Sequence, residues 1–236
     1  MLISGLQKLS LVDFPGKVAC TVFTGGCNWR CPFCHNSELI HNPPREMEVS
    51  DVLDFLGSRR GLLDGVCITG GEPCLHADLP DLMRAIRDLG YPVKLDTNGT
   101  FPDRLKAILD EGLAAYVAMD IKNSPEMYGE TTGASDSILP AVLRSARLLL
   151  ASGTDFELRT TVVLPFHSLT SMQGIRDMLD PLVEEAGRLV PHYYLQPFVD
   201  RDTVAFSGMS APGDEDLRAW CGVLAPIARH VGVRGK

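Results

Sequence analysis

The sequence predicts an α/β protein, an open, partial (β/α)6 barrel. Short β-branched runs alternate six times with helix-length amphipathic segments, which implies parallel strands joined by right-handed crossovers. At 236 residues the chain is too short for the eight units of a closed barrel. The turns that close the β-runs also carry the glycines and the chemically active side chains, as expected where active groups gather at the C-terminal ends of strands. A doubly wound sheet shares this local pattern. No linker or low-complexity tract divides the chain, so a single domain over residues 1–236 is expected, with an N-terminal extension (1–17) and a cysteine loop (24–37).

The first strand, 18–23, is β-branched around Val18, Thr21 and Val22 and ends in Thr24-Gly25-Gly26. Val49, Val52, Leu53 and Leu56 recur at helical spacing and predict a helix over 49–59. A second strand, 65–69, is closed by Gly70-Gly71. The helix over 78–89 is stopped by Gly90. Residues 93–95 lead into Asp96-Thr97-Asn98-Gly99, and Pro102 opens a helix to 110. Strand 116–119 precedes a helix over 138–152. Strands 156–164 and 189–198 are followed by helices over 170–187 and 214–229.

Composition excludes several classes. The chain is 45% hydrophobic and 22% charged, ordinary for a globular protein. Its net charge of −8 disfavours nucleic acid and anionic membranes as partners. It has no apolar run of the roughly 18 residues that span a bilayer. Met1-Leu2-Ile3-Ser4-Gly5 lacks the basic and apolar regions of a signal peptide, so a cytoplasmic location is expected. Seven cysteines, an odd number, argue against a disulfide framework there and for metal binding or buried thiols.

Three of the seven form a group. Cys27, Cys31 and Cys34 lie on one loop, Gly26-Cys27-Asn28-Trp29-Arg30-Cys31-Pro32-Phe33-Cys34-His35-Asn36, directly after the first strand. Three thiolates can hold three corners of a cubane cluster, whose usual complement is four cysteines, leaving one iron for another ligand. Structural zinc would need a fourth ligand. His35 is adjacent to Cys34 and poorly placed, and zinc sites usually pair ligands from two separated loops. Three inert buried thiols are the remaining alternative, but a loop rich in Gly, Asn and Pro is not core.

The spacing Cys27-x3-Cys31-x2-Cys34, with Phe33 before the last cysteine, resembles the radical S-adenosylmethionine (SAM) signature. Residues 5–17 (Gly5-Leu6-Gln7-Lys8-Leu9-Ser10-Leu11-Val12-Asp13-Phe14-Pro15-Gly16-Lys17), running on to Cys34-His35-Asn36, resemble the activating proteins of anaerobic ribonucleoside-triphosphate reductase. Those proteins are relatives of the pyruvate formate-lyase activating enzyme. The resemblance implies a [4Fe-4S] cluster on the three cysteines, with SAM chelating the open iron through its amino and carboxylate groups. One electron from the cluster would split the carbon–sulfur bond of SAM to give a 5′-deoxyadenosyl radical.

The resemblance also implies SAM contacts from Phe33, His35, Gly70, Gly71, Glu72, Asp96, Asn98, Asp120 and Lys122. Read by themselves, Gly70-Gly71-Glu72 could be a plain turn, Asp96 to Gly99 an Asn-Gly turn, and Asp120 with Lys122 a simple salt bridge. The resemblance further suggests a monovalent cation near Asp96 and Asp120. Arg159 alternates with Leu158 and is either a ligand contact or a strand-end charge. Relatives place a histidine at Val199, where Gln196 or Asp200 is nearest to substitute. Cys20 and Cys67 read as core and Cys74 as structural, Cys221 has no CxxC partner, and there are neither ligands nor room for a second cluster. His41, His76, His167, His192 and His230 show no ligand spacing.

The implied activity is generation of a glycyl radical on a partner enzyme, the class III ribonucleotide reductase by resemblance, with a flavodoxin or ferredoxin-type electron donor. Alternatives are an activase of another glycyl radical enzyme such as pyruvate formate-lyase, a small-molecule radical SAM enzyme like 7-carboxy-7-deazaguanine synthase, and a non-catalytic metal-binding module.

Overall fold

A computed structural model describes residues 1–41, 43–204 and 206–235. The expected fold class is the observed one: strands and helices alternate along the chain, with strands in chain order. The described residues group into two compact units. The first comprises Met1–Asn28, Glu38–Thr97 and Asp103–Val117, the second Trp29–Ser37, Asn98–Pro102 and Ala118–Lys236.

The first unit opens with a strand that the sequence reading left in the N-terminal extension, β1 (Ile3–Ser10). It pairs antiparallel with β2 (Ala19–Thr24), the predicted first strand. Its three consecutive exposed residues near the C-terminal end hide the period-2 signal that a half-buried strand needs. A short helix α1 (Glu38–His41) follows the cysteine loop; the side chain of His41 lies outside the described residues. Helix α2 (Val49–Ser58) buries Val52 and Leu56, and β3 (Gly65–Gly70) lies parallel to β2. Helix α3 (Leu79–Asp88) turns Leu79, Leu82, Met83 and Ile86 inward, the i, i+3, i+4, i+7 stripe of an amphipathic helix. Strand β4 (Val93–Thr97) is parallel to β3, and α4 (Pro102–Asp110) has the predicted limits. Strand β5 (Tyr116–Asp120) then leads into the second unit.

There the chain adds α5 (Pro125–Thr132), absent from the sequence reading because its eight residues carry no apolar stripe. Its limits follow from proline at the first turn and Gly133 at φ 64 after the last. Helix α6 (Leu139–Ala151), strand β6 (Asp155–Val162), helix α7 (Leu169–Ala186) and strand β7 (Val190–Pro197) match the predicted elements closely. The predicted helix over 214–229 is corrected. Helix α8 (Asp214–Leu224) ends before Pro226 sits in a tight turn, and β8 (Ala228–Val233) pairs parallel with β7.

Strands β6 and β7 alternate cleanly. Phe156, Leu158 and Thr160 share the buried face with Tyr193 and Leu195, while Arg159 and Thr161 share the other with Tyr194 and Gln196. Past β8, the Arg234 guanidinium makes two 2.6 Å bonds to the fully buried Glu157 carboxylate and lies 4.3 Å from the Tyr194 ring centre. Loss of one partner of such a pair leaves a buried charge uncompensated. Arg234→Ala is therefore expected to lower unfolding free energy by about 3 kcal/mol, the low end for buried pairs because the guanidinium is partly exposed. Urea unfolding of the metal-free protein measures this, and an unchanged midpoint would contradict it.

Candidate functional site

In the first unit, the turn after β3 clamps the start of the cysteine loop through backbone contacts. The Gly71 N–H donates to the Thr24 carbonyl and the Glu72 N–H to the Gly26 carbonyl, both at 2.8 Å. The Gly26 N–H donates to the Leu39 carbonyl at 2.7 Å, and His76 Nε2 donates to the Gly25 carbonyl at 2.8 Å. Gly70 has φ 115, and a Cβ on Gly71 would land on the Gly26 carbonyl oxygen. Only glycine permits this approach.

Glu72 is fully buried, and its Oε1 accepts from the Cys74 N–H (2.9 Å) and the Thr97 hydroxyl (2.7 Å). The Asp96 carboxylate takes the Lys94 ammonium on one oxygen and the Thr69 hydroxyl (3.2 Å) on the other. Register sets this grouping: Cys67 pairs with Lys94 across β3 and β4, so Cys67, Thr69, Lys94 and Asp96 share one sheet face. Cys20, Cys67 and Cys74 are fully buried; burial pushes the Cys20 thiol up to about 11 and Cys74 well above the ordinary range.

The second unit carries the rest of the loop. The Arg30 N–H donates to the Thr132 carbonyl at 2.7 Å, and Trp29 packs edge-on against the buried Tyr128 ring. Phe33 is buried with Val163 and Phe198, with Cys31 and Phe166 against them. His35 stacks on Phe198, and its Nε2 donates to the Val199 carbonyl at 2.8 Å. Val199 thus meets the loop through its backbone carbonyl. Asp200 is exposed and Gln196 half-buried. Asn98 Oδ1 accepts from the Thr100 N–H and hydroxyl, stabilising the turn through Gly99 at φ 77.

Beyond β5, Asp120 accepts from Arg159 Nε on Oδ1 (2.5 Å) and from Lys122 Nζ on Oδ2 (2.8 Å). Burial alone would raise the Asp120 pKa, but Arg159 and Lys122 outweigh it and hold the carboxyl far below its usual range. Burial would lower that of Lys122, yet Asp120 and then the Cys31 sulfur reverse the shift. Burial pushes the Cys34 thiol up, opposed by the Asn36 N–H at its sulfur and by Lys122. Burial lowers the His35 pKa.

Among the described residues no three His, Cys, Asp or Glu side chains are grouped closely enough to hold a metal ion, but the chemistry of the loop's donors suits a thiolate-held cluster. Cys31 and Cys34 are partly open sulfurs on a braced loop, with an amide N–H and an ammonium near the sulfurs, the outer contacts that tune a thiolate-held metal. A coordinating thiol is deprotonated by the metal itself. In the first unit Lys94 rests on Asp96, and in the second Lys122 and Arg159 rest on Asp120.

The pattern that defines the radical SAM superfamily matches residues 21–179, from β2 into α7. The chain belongs to the radical SAM superfamily. A Methanocaldococcus jannaschii protein named as a glycyl-radical enzyme activating enzyme is 34% identical over 92% of this chain and 89% of its own length. The Escherichia coli pyruvate formate-lyase 1-activating enzyme is 32% identical over 57% of each chain. Among solved structures, Streptococcus suis SuiB bound to S-adenosylmethionine aligns over 89% of this chain with TM-score 0.62 and 15% identity. The chain spans about half of SuiB (48%), and the likeness is one of fold. The protein is a radical SAM enzyme, using a [4Fe-4S] cluster and SAM. Among the described residues no helix is long and apolar enough to cross a membrane.

The structure joins Asp120, Lys122 and Arg159 into one ion-pair triad, whereas the sequence reading left Arg159 between ligand contact and surface charge. It adds Lys94 beside Asp96, Thr97 beside Glu72, and His76, Tyr128 and His167 as braces. A polar residue in a buried strand, as at Lys94, was the one available signal for these. Because the folded Asp120 pKa lies below its unfolded value, its contribution is present above about pH 3.9 and fades as pH falls below that. Metal-free Asp120→Asn should therefore lose less stability than wild type between about pH 5 and pH 3. Thermal melts across that range give the comparison, and parallel curves would contradict it.

Proposed function

We propose that this enzyme is an activase, which places a radical on a glycine of a partner enzyme, with the anaerobic ribonucleoside-triphosphate reductase as that partner. The observation carrying the chemistry is the ion-paired Lys122 ammonium, held by Asp120 in the same compact unit as Cys31 and Cys34. The activase class rests on a relative of that description aligned along nearly the whole chain. The choice of reductase rests on residues 5–36.

In this reading Cys27, Cys31 and Cys34 hold the cluster, and the chain acts as one catalytic domain. Bound there, the cluster supplies the electron that cleaves SAM to methionine and, after hydrogen abstraction from the partner's glycine, 5′-deoxyadenosine. Lys122, held by Asp120, would take the SAM carboxylate. Asp96, Asn98 and Asp120 would take its polar groups, and Gly70 and Gly71 would offer it backbone. Glu72 acts mainly by fixing the turn that presents them, since its Oε1 is committed internally. Arg159 keeps Asp120 ionised, Phe33 seats the loop in the core, and His35 orders the segment after β7. A flavodoxin or ferredoxin-type protein in the cytoplasm delivers the electron.

Anaerobically reconstituted protein should bind about four irons, the content of one cubane. Cys27→Ala, Cys31→Ala or Cys34→Ala should lose them, and Cys221→Ala should not. Mixing the reduced enzyme with SAM and anaerobic ribonucleotide reductase should produce a glycyl doublet in electron paramagnetic resonance, with 5′-deoxyadenosine accumulating. SAM cleavage without a radical on the reductase would reject that partner, and a doublet on pyruvate formate-lyase instead would reassign it. Multiple turnovers on a soluble small molecule would reject the activase reading.

A further inference from the structure

We propose that His167 is a positioning residue, which fixes the Lys122 main chain and thereby the reach of its ammonium toward the Cys31 and Cys34 sulfurs. This rests on the reading that Lys122 contacts SAM and adds a residue that reading does not use.

His167 is 1% exposed and bridges the segments that follow β5 and β6. Its Nε2 lies 2.8 Å from the Lys122 carbonyl, which can only accept, so the ring proton sits on Nε2. Nδ1 faces both main-chain groups of Val163, the N–H at 3.2 Å and the carbonyl at 3.1 Å, and with the ring proton on Nε2 it accepts the N–H. Burial, which lowers the His167 pKa, favours the neutral ring. On the other side of Lys122, its N–H points to the Tyr128 hydroxyl at 3.4 Å.

Lys122 lies just past the end of β5, beyond the strand ladder, and its main-chain polar groups need partners from elsewhere. Here both come from buried side chains, and both of those rings touch the cysteine loop. Tyr128 meets Trp29 edge-on at 6.0 Å, and His167 meets Phe33 edge-on at 6.3 Å. The neighbouring Asn123 is tied to the same two segments, donating to Thr131 Oγ1 and the Phe166 carbonyl at 2.9 Å each. The ammonium rides on a four-carbon stem, so the placement of its Cα sets where it can go. Its interaction with the sulfurs falls with distance.

The test uses the anaerobically reconstituted, full-length protein. Iron content, SAM dissociation constant and the change SAM makes to the spectrum of the reduced cluster are measured for His167→Leu, His167→Gln, His167→Asn and Lys122→Met. His167→Leu should keep its iron, bind SAM roughly tenfold more weakly and show a diminished spectral response. His167→Gln, whose amide reaches the position of Nε2, should restore both, while His167→Asn, which ends near Nδ1, should not. Should the leucine variant fail to fold, the Gln and Asn pair decides, and equal SAM affinity in those two overturns the proposal. Weaker SAM binding in Lys122→Met beside wild-type binding in His167→Leu also overturns it. Wild-type SAM affinity in Lys122→Met instead rejects the underlying role of Lys122.

Discussion

A loop that offers its thiols to a metal cannot bury those side chains to hold itself in place, so its backbone must be held from outside. That constraint organises much of this protein. In the first unit, Gly26 is bonded on both polar backbone groups, to Leu39 and to Glu72, one residue before Cys27. In the second, Arg30 bonds Thr132 and Phe33 sinks into an apolar cluster beside Cys34. The glycines at 70 and 71 exist for the same reason, since a side chain at Gly71 would occupy the space of the Gly26 carbonyl.

Charge is organised by the same logic of mutual support. Asp120 and Lys122 are nearly enclosed, and neither would remain ionised without partners of opposite sign. Arg159 completes the compensation from the neighbouring strand segment, so charge pairing offsets the desolvation cost of a fixed ammonium. Asp96 with Lys94 repeats the arrangement in the first unit. In both cases aspartate and lysine are two residues apart; alternation within β4 places Lys94 and Asp96 on one face, whereas Lys122 reaches Asp120 from just beyond β5.

Much of this was readable from the chain. The alternation of β-branched runs and amphipathic stripes located six strands and most of the helices, because each element buries one face and so writes its period into the sequence. The elements not found lack such a period: β1 has consecutive exposed residues, α1 and α5 are short, and β8 follows Pro226 with its first two residues inside the predicted helix. The cysteine triplet was legible because metal ligation needs specific atoms at short spacing. The braces were not, since His76, His167, Tyr128 and Lys94 acquire their roles from partners that lie distant in sequence or across a neighbouring strand.

The sequence by itself determined the fold class and the family and singled out the cysteine loop as the candidate site, because these depend on local periodicity and on motifs contained within a few residues. Only the tertiary structure decided that Glu72 turns its Oε1 inward to the Cys74 amide and Thr97, that Arg159 belongs to Asp120, and that Val199 meets His35 through its carbonyl. Apart from the local Glu72–Cys74 bond, each is a hydrogen bond or ion pair between residues far apart in the chain. Such pairings depend on strand register and on which loops fold against each other, and neither leaves a pattern that one segment alone can display.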